Sequence, residues 1–288
     1  MHLFFRIILL TIISLSSFAQ NKLDPFQVYG PYRAKVYEDF SQALLNANDC
    51  YRLKPLNEDL SKNLKKIKKL DKLYVIEFKS NNIDSFPEEI SSFRNLMYLK
   101  SSGNSLKKLP ESIGLTPTLK TLVLHHVKMD SMPDSFNKLE SLMELEIQVN
   151  NADTFKLKNS LNGLYNLKSL MLYKTNLPEF PVGLNKSPKL KKVLMVDCGL
   201  TQIDSSFALS KGIQTLILDK NKFQEFPTEL IQIETLKELS LRNNQITHLP
   251  EKVAFIRGLE ILDLTGNNIP PLELDIVRVL LPHCKIIH

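Results

Sequence analysis

Apolar residues return along this chain with a fixed beat. Leucine or isoleucine stands at Leu73, Leu96, Leu119, Leu142, Leu167, Leu190, Ile213, Leu236 and Leu259, 23 residues apart except for 25 between Leu142 and Leu167. Each opens one phrase, clearest in Leu236-KE-Leu239-S-Leu241-RN-Asn244-Q-Ile246-TH-Leu249-Pro250-EK-Val253-AF-Ile256. Leu239 and Leu241 alternate with polar positions at the strand period of two. One short strand per repeat follows, and strands that recur at one place in a coil run parallel. Pro250 then stands where a helical turn would begin, since a missing N–H is harmless there. Glu251, like Glu88, Glu89 and Glu111 in their repeats, falls in that first turn, which suits the local dipole. The phrase predicts a strand on one side of each coil and a short helical or 3₁₀ turn on the other.

A coil this short cannot bury its own apolar face, so successive coils must stack into a solenoid of nearest-neighbour contacts. After each strand the chain turns inward, and the backbone groups there have no ladder partner. An amide side chain can bond both N–H and C=O groups, and Asn81, Asn104, Asn150, Asn221, Asn244 and Asn267 fill that column. Val127, Thr175 and Cys198 depart from it. Thr and Cys keep weak bonds; Val127 has none to offer, which predicts a looser or water-bridged turn. The repeat from Leu142 lacks L-P and carries the polar segment Asn150 to Ser160, so it should break the regular convex turn.

A solenoid exposes its terminal core and needs caps. Val36, Phe40 and Leu44 stand at i, i+4, i+8 within Val36–Ala47, which predicts an amphipathic N-terminal cap helix after an extended lead-in. Leu272–Leu281 is apolar with a helical period, Pro282 ends it, and Cys284-KII reads as a final strand.

Nine copies of L-x-x-L-x-L-x-x-N-x-L-x-x-L-P-x-x-I-x-x-L, with a tenth degenerate copy from Cys50, resemble the leucine-rich repeat family in its 23-residue L-P-x-x-I subclass, exported bacterial type. The resemblance implies an α/β leucine-rich-repeat solenoid: a curved parallel sheet of about nine to ten repeats with helical caps. It also implies recognition of a partner in place of catalysis.

Four segments are expected: a signal peptide over 1–19, a lead-in and cap helix over 20–49, repeats over 50–271 and a C-terminal cap over 272–288. The first segment has Arg6, the apolar run Ile7–Leu15, and small Ser17 and Ala19 before Gln20. That run is far shorter than the ~20 residues of a bilayer span, and no later segment reads as transmembrane. The expected location is therefore periplasm, cell surface or medium. Cys50, Cys198 and Cys284 are odd in number and far apart, so they read as small buried hydrophobes in place of a disulfide framework.

Composition narrows the function. Nine Gly against 15 Pro, and no G-x-G-x-x-G, Walker-type, G-x-S-x-G or H-E-x-x-H pattern, leave nothing to hold a nucleotide, a metal or a nucleophile. No cofactor is expected. A net charge of +6 is too mild to call for nucleic acid, and aromatics do not interleave with the lysines. Lys62, Lys65, Lys66, Lys68 and Lys69 read first as a solvated convex turn and second as a weak contact with anionic surfaces.

The exposed strand positions carry the functional signal. Met171, Leu194 and Ile217 occupy the fifth position of three successive repeats, with Tyr173 and Val196 at the seventh. Parallel strands lie ~4.8 Å apart, so these residues form one apolar patch with polar neighbours. Val123 and His125 extend it, and the predicted binding set is Val123, His125, Met171, Tyr173, Leu194, Val196 and Ile217. The expected ligand is a protein or peptide. The alternative, a glycan or cell-envelope polymer, would use rows of aromatics, and Tyr98 and Tyr173 are the two available. A hydrolase or metal site would draw on His125, His126 and Glu146, but adjacent strand residues point to opposite faces.

Overall fold

The computed structural model describes residues 23–150 and 154–288; the segment read as a signal peptide lies outside them. Twelve parallel strands among the described residues form one sheet in strict chain order. They are β1 (Val36–Tyr37), β2 (Arg52–Leu53), β3 (Val75–Lys79), β4 (Tyr98–Ser102), β5 (Thr121–Val127), β6 (Glu144–Val149), β7 (Ser169–Tyr173), β8 (Lys192–Val196), β9 (Thr215–Ile217), β10 (Glu238–Ser240), β11 (Ile261–Asp263) and β12 (Lys285–Ile287). Leu99, Leu122, Leu145, Leu170, Val193, Leu216, Leu239 and Leu262 stand opposite one another in a single buried row. The opposite side of most coils is a short 3₁₀ turn, as at Glu88–Ser92, Glu111–Leu115 and Glu251–Phe255. Pro87, Pro110, Pro133, Pro227 and Pro250 sit just before such turns with extended backbone. Strands stack more closely than the bulkier turns opposite them, so the sheet takes the concave side.

Before the asparagine column the chain turns through left-handed backbone: Ser80, Gly103, His126, Lys174, Asp197, Lys220, Asn243 and Gly266 all have positive φ. Only two of these are glycine, so the bonds around each turn hold a conformation that side chains disfavour. Asn221 shows how. Its Oδ1 accepts from the Cys198 and Leu200 amides of the previous coil at 3.0 and 3.2 Å, and its Nδ2 donates to the Met195 and Leu218 carbonyls at 2.7 and 2.9 Å. Thr175 and Cys198 keep a weaker version, the Thr175 hydroxyl donating to Cys198 Sγ at 3.0 Å and that thiol to the Leu172 carbonyl at 3.4 Å.

The central repeats differ from expectation. Val127 does not loosen its turn: β5 runs on through a bulge after Leu124, and Val127 is fully buried opposite Val149. The strand continues because an apolar side chain there gains more from the core than from an open turn. Asn150 leaves the column and is exposed, because the bulge shifts Val149 into the buried place. Turns replace the 3₁₀ helix over 158–163, and a Cβ on Gly163 would overlap the Asn137 carbonyl oxygen.

Both ends are capped. The N-terminal cap is shorter than its helical spacing suggested: Val36 and Tyr37 pair with β2, and helix α2 (Phe40–Leu45) starts only after Asp39, whose carboxylate accepts from the Gln42 amide at 2.6 Å. The lead-in holds a single helical turn, α1 (Pro25–Val28), in place of a fully extended run. Helix α3 (Pro271–Leu280) buries Leu274 and Val277, and β12 closes the sheet against β11. Cys50 and Cys198 are buried thiols and Cys284 is half-buried; burial pushes the Cys50 thiol up to about 12 and the other two to about 11.

Asn221→Ala strips two buried amides of their acceptor and should lower the unfolding free energy by about 2–6 kcal/mol in chemical denaturation. Asn150→Ala should stay within about 0.5 kcal/mol of wild type.

Candidate functional site

Strand alternation divides the side chains cleanly. Val193, Met195, Leu216 and Leu218 belong to the core, whereas Leu194 and Ile217 lie on the other face of the sheet. Met171 stands opposite Leu194 and Leu194 opposite Ile217, with Tyr173 opposite Val196. The five patch residues are therefore contiguous, and the Tyr173 hydroxyl donates to Met171 Sδ at 3.6 Å. They are not equally open. Leu194 and Ile217 are only 1% and 7% exposed, so they form a floor, while Met171, Tyr173 and Val196 are half-buried above it.

That floor opens into a cavity of about 210 Å³ towards the C-terminal cap. Leu194, Val196, Ile217, Ile261 and Ile287 give it apolar walls, and Asp219, Ser240, Arg242 and Asp263 give it a polar lip. Asp219 Oδ1 accepts from the Ser240 hydroxyl at 2.5 Å and the Arg242 amide at 3.1 Å, while Arg242 Nε lies 3.7 Å from Asp263 Oδ2. Burial nevertheless holds the Asp219 carboxyl above its ordinary range, against those hydrogen bonds.

Val123 and His125 lie elsewhere. They line a second cleft, of about 490 Å³, whose outer wall is the lead-in. Leu23, Pro25, Val28 and Tyr29 face Tyr98, Val123 and His125 across it. The lead-in is held by Arg52, 4% exposed, which donates to the carbonyls of Tyr29, Ala34 and Pro31 at 3.0, 2.8 and 3.1 Å. Lys54 lies over the Phe26 ring at 5.5 Å and Lys120 over Tyr29 at 5.8 Å. Gly30, at φ +88°, passes against the Tyr74 side chain. Burial raises the Tyr98 hydroxyl, helped by Glu77, Glu146, Glu144 and Asp24.

The hydrolytic constellation does not assemble. His125 Nε2 meets Glu146 Oε1 at 2.8 Å, but His126 sits in left-handed backbone at the strand end, 3.4 Å from the Gln148 amide nitrogen. Among the described residues no group of three or more His, Cys, Asp or Glu is placed to hold a metal.

The architecture agrees with what known proteins share. A model described as "Leucine-rich repeat region" matches residues 44–230, and one described as "Leucine rich repeat" matches 211–269. The chain belongs to the leucine-rich repeat family. No curated protein matches this sequence. Among solved structures, a plant peptide hormone receptor, RGFR1 in complex with RGF2, is 26% identical with a TM-score of 0.66, over 84% of this chain and 42% of the receptor chain. An internalin of Listeria monocytogenes is 17% identical with a TM-score of 0.70, over 88% of this chain and 73% of its own. The ectodomain of the Arabidopsis thaliana receptor kinase GASSHO1/SCHENGEN3, in complex with CASPARIAN STRIP INTEGRITY FACTOR 2, is 22% identical with a TM-score of 0.61, over 74% of this chain and 27% of its own. This chain thus spans less than half of each plant receptor chain.

Outside the concave face, this leucine-rich repeat protein carries its lysine run on the 3₁₀ turn Leu64–Lys69, with Leu64 and Ile67 buried and Lys62, Lys65, Lys66, Lys68 and Lys69 exposed. Among the described residues no helix is long and apolar enough to cross a membrane. Sequence reasoning named the lead-in but missed Arg52 and the wall that the lead-in builds beside Tyr98, Val123 and His125. The one available signal was an arginine on a strand beside a Tyr29-Gly30-Pro31-Tyr32 turn, a pattern without periodicity.

Arg52→Ala should speed hydrogen exchange at the Tyr29 and Ala34 amides by about tenfold or more, and Arg52→Lys should not restore protection, because an ammonium lacks the planar fork. For Asp219 the folded carboxyl titrates above the unfolded one, so its ion destabilises the fold at neutral pH, and stability is regained as pH falls through the folded value. Asp219→Asn should therefore raise the thermal midpoint at neutral pH, by a difference that shrinks as the medium is acidified.

Proposed function

We propose that this chain is an exported recognition module that binds a protein or peptide along the concave face of its solenoid. The observation that carries the reading is the contiguous row Met171, Leu194, Ile217 with Tyr173 and Val196, opening into a cavity with a charged lip. These side chains lie on the other face of the sheet from the main core cluster, with Leu194 and Ile217 buried at the base of the patch. A half-buried apolar patch with a polar rim is the usual form of an interaction surface. Two of the similar structures are receptors described in complex with RGF2 and with CASPARIAN STRIP INTEGRITY FACTOR 2, which is consistent with this use of the fold. The glycan reading is weaker, because Tyr98 and Tyr173 lie on β4 and β7 with two strands between them and form no aromatic row. Export rests on residues 1–19, and N-terminal sequencing of the mature protein should begin at Gln20.

Leu194 is too enclosed to be a clean probe, so the test uses the half-buried Tyr173 and Val196. Immobilised wild-type protein should retain a protein or peptide from an extracellular or envelope extract that Tyr173→Ala and Val196→Asp lose, with thermal melts of all three alike. Retention of the same material by the variants, or loss of Tyr173→Ala binding confined to a glycan array, overturns the protein-ligand reading.

A further inference from the structure

The positive charge of this chain is not spread evenly around the coil. Each coil enters its strand through a short connector, as 186–191 does between the 3₁₀ turn Leu184–Lys186 and β8. The connectors 69–74, 92–97, 115–120, 138–143, 163–168, 186–191, 209–214, 232–237 and 255–260 carry twelve lysines and arginines against four carboxylates, a net +8, whereas the whole chain carries +6. Backbone bonds set them side by side. The Lys191 amide donates to the Lys168 carbonyl at 3.0 Å, Gln214 to Lys191 at 2.8 Å and Lys237 to Gln214 at 2.9 Å. The rim of the solenoid at which the strands begin is therefore basic, and the rest of the chain is slightly acidic.

The charge is densest over three successive connectors. Segments 163–168, 186–191 and 209–214 hold Lys168, Lys186, Lys189, Lys191 and Lys211, all exposed, and no Asp or Glu. Lys189 Nζ donates to the neutral Asn166 side chain at 2.6 Å. Among the described residues no carboxylate comes within ion-pair distance of these five lysines. Elsewhere the same rim occupies its cations: Lys237 meets Glu260 at 2.7 Å, Lys120 lies over the Tyr29 ring and Lys72 donates to the Asn48 carbonyl. Lys168 and Lys191 are ladder neighbours, and like charges so placed oppose stacking. Two large side chains stand outward in the same three connectors, Tyr165 at 53% and Leu209 at 62% exposure.

We propose that this rim docks on an anionic lipid bilayer, with the five lysines at the headgroups and Tyr165 and Leu209 in the interfacial layer. Charge complementarity selects an anionic partner. The outward leucine selects a bilayer over a soluble polyanion, because acyl chains can take it out of water and a charged polymer cannot. Each lysine near a negative leaflet strengthens attachment about fivefold. The rim lies beside the concave face and leaves it open to a ligand, so the two readings stand or fall separately.

The test is co-sedimentation of the mature protein with vesicles of phosphatidylcholine, alone or mixed with phosphatidylglycerol, and in parallel its retention on dextran sulfate. The protein should sediment with the mixed vesicles only, and less so as salt is raised. Lys189→Gln with Lys191→Gln should weaken that binding about thirtyfold. Lys65→Gln with Lys66→Gln, which removes the same charge from the convex turn, should leave it within about twofold. Leu209→Ser should weaken vesicle binding about fivefold and leave retention on dextran sulfate unchanged. All these side chains are exposed, so thermal melts of the variants should match wild type. Equal binding to both kinds of vesicle, or an equal loss in the Lys65 and Lys66 variant, overturns the proposal. Vesicle binding indifferent to Leu209→Ser also overturns it and assigns the rim to a soluble polyanion.

Discussion

No coil of this chain can bury its own apolar side; each must give that side to the next. This constraint governs the rest of the molecule. It demands that equivalent residues stand opposite one another, and the register from β3 to β12 keeps the leucine row aligned through every pairing. A shift by one residue would turn the core row out to solvent. The polar part of the coil obeys the same rule. Asn221 serves amides of the coil before it, and Glu111 on the convex side accepts from the Ser135 and Asp134 amides of the coil after it at 2.9 and 3.2 Å, which lowers its carboxyl. Stacking therefore brings a turn and its neighbour's bonding partners together in one step.

The same alignment makes the concave face a readable surface, since side chains that recur in sequence become neighbours in space. It also exposes the limit of periodic logic. The lead-in belongs to no repeat, yet Arg52 fixes it across the face with three bonds to carbonyls. A guanidinium suits this task because its donors diverge in a plane and can meet several carbonyls at once. Once the lead-in is in place, the N-terminal half of the face holds a cleft bounded by it, and the C-terminal half holds the smaller, apolar-walled cavity.

Much of the fold was legible because leucine spacing, proline and asparagine each report a local need that every repeat shares. Strands, 3₁₀ turns, the C-terminal helix and the final strand follow from them. What was not legible depends on competition between needs. At Val127 core burial overrides the turn, and the resulting bulge displaces Asn150, whose letter matches the column although its place does not. At Val36 the helical spacing of apolar residues coincides with a strand that extends the sheet. Patch neighbours such as Met171 and Leu194 could be placed from spacing alone. Their enclosure could not, nor could the separation of Val123 and His125 from the rest, because both depend on side chains of other elements.

The buried polar groups fall into two kinds, and the distinction locates the working surface. Asn104, Asn221 and Asn244 of the column are buried and bonded on both sides of the amide, so their burial is offset where it occurs. Asp219 is buried, hydrogen-bonded, and still held above its ordinary range, beside an Asp263 carboxylate that raises it further. It contributes nothing to coil stacking that an amide would not. Its bonds to Ser240 and Arg242 of the next coil offset part of its desolvation and place the carboxylate at the lip of the apolar cavity. From β2 to β12 the concave positions carry Glu77, Glu144, Glu146, Asp219, Glu238 and Asp263 with Arg52, Lys54, Lys79, Lys100, Lys192, Arg242 and Lys285, so the sign of the charge changes along the face while its sum stays close to zero.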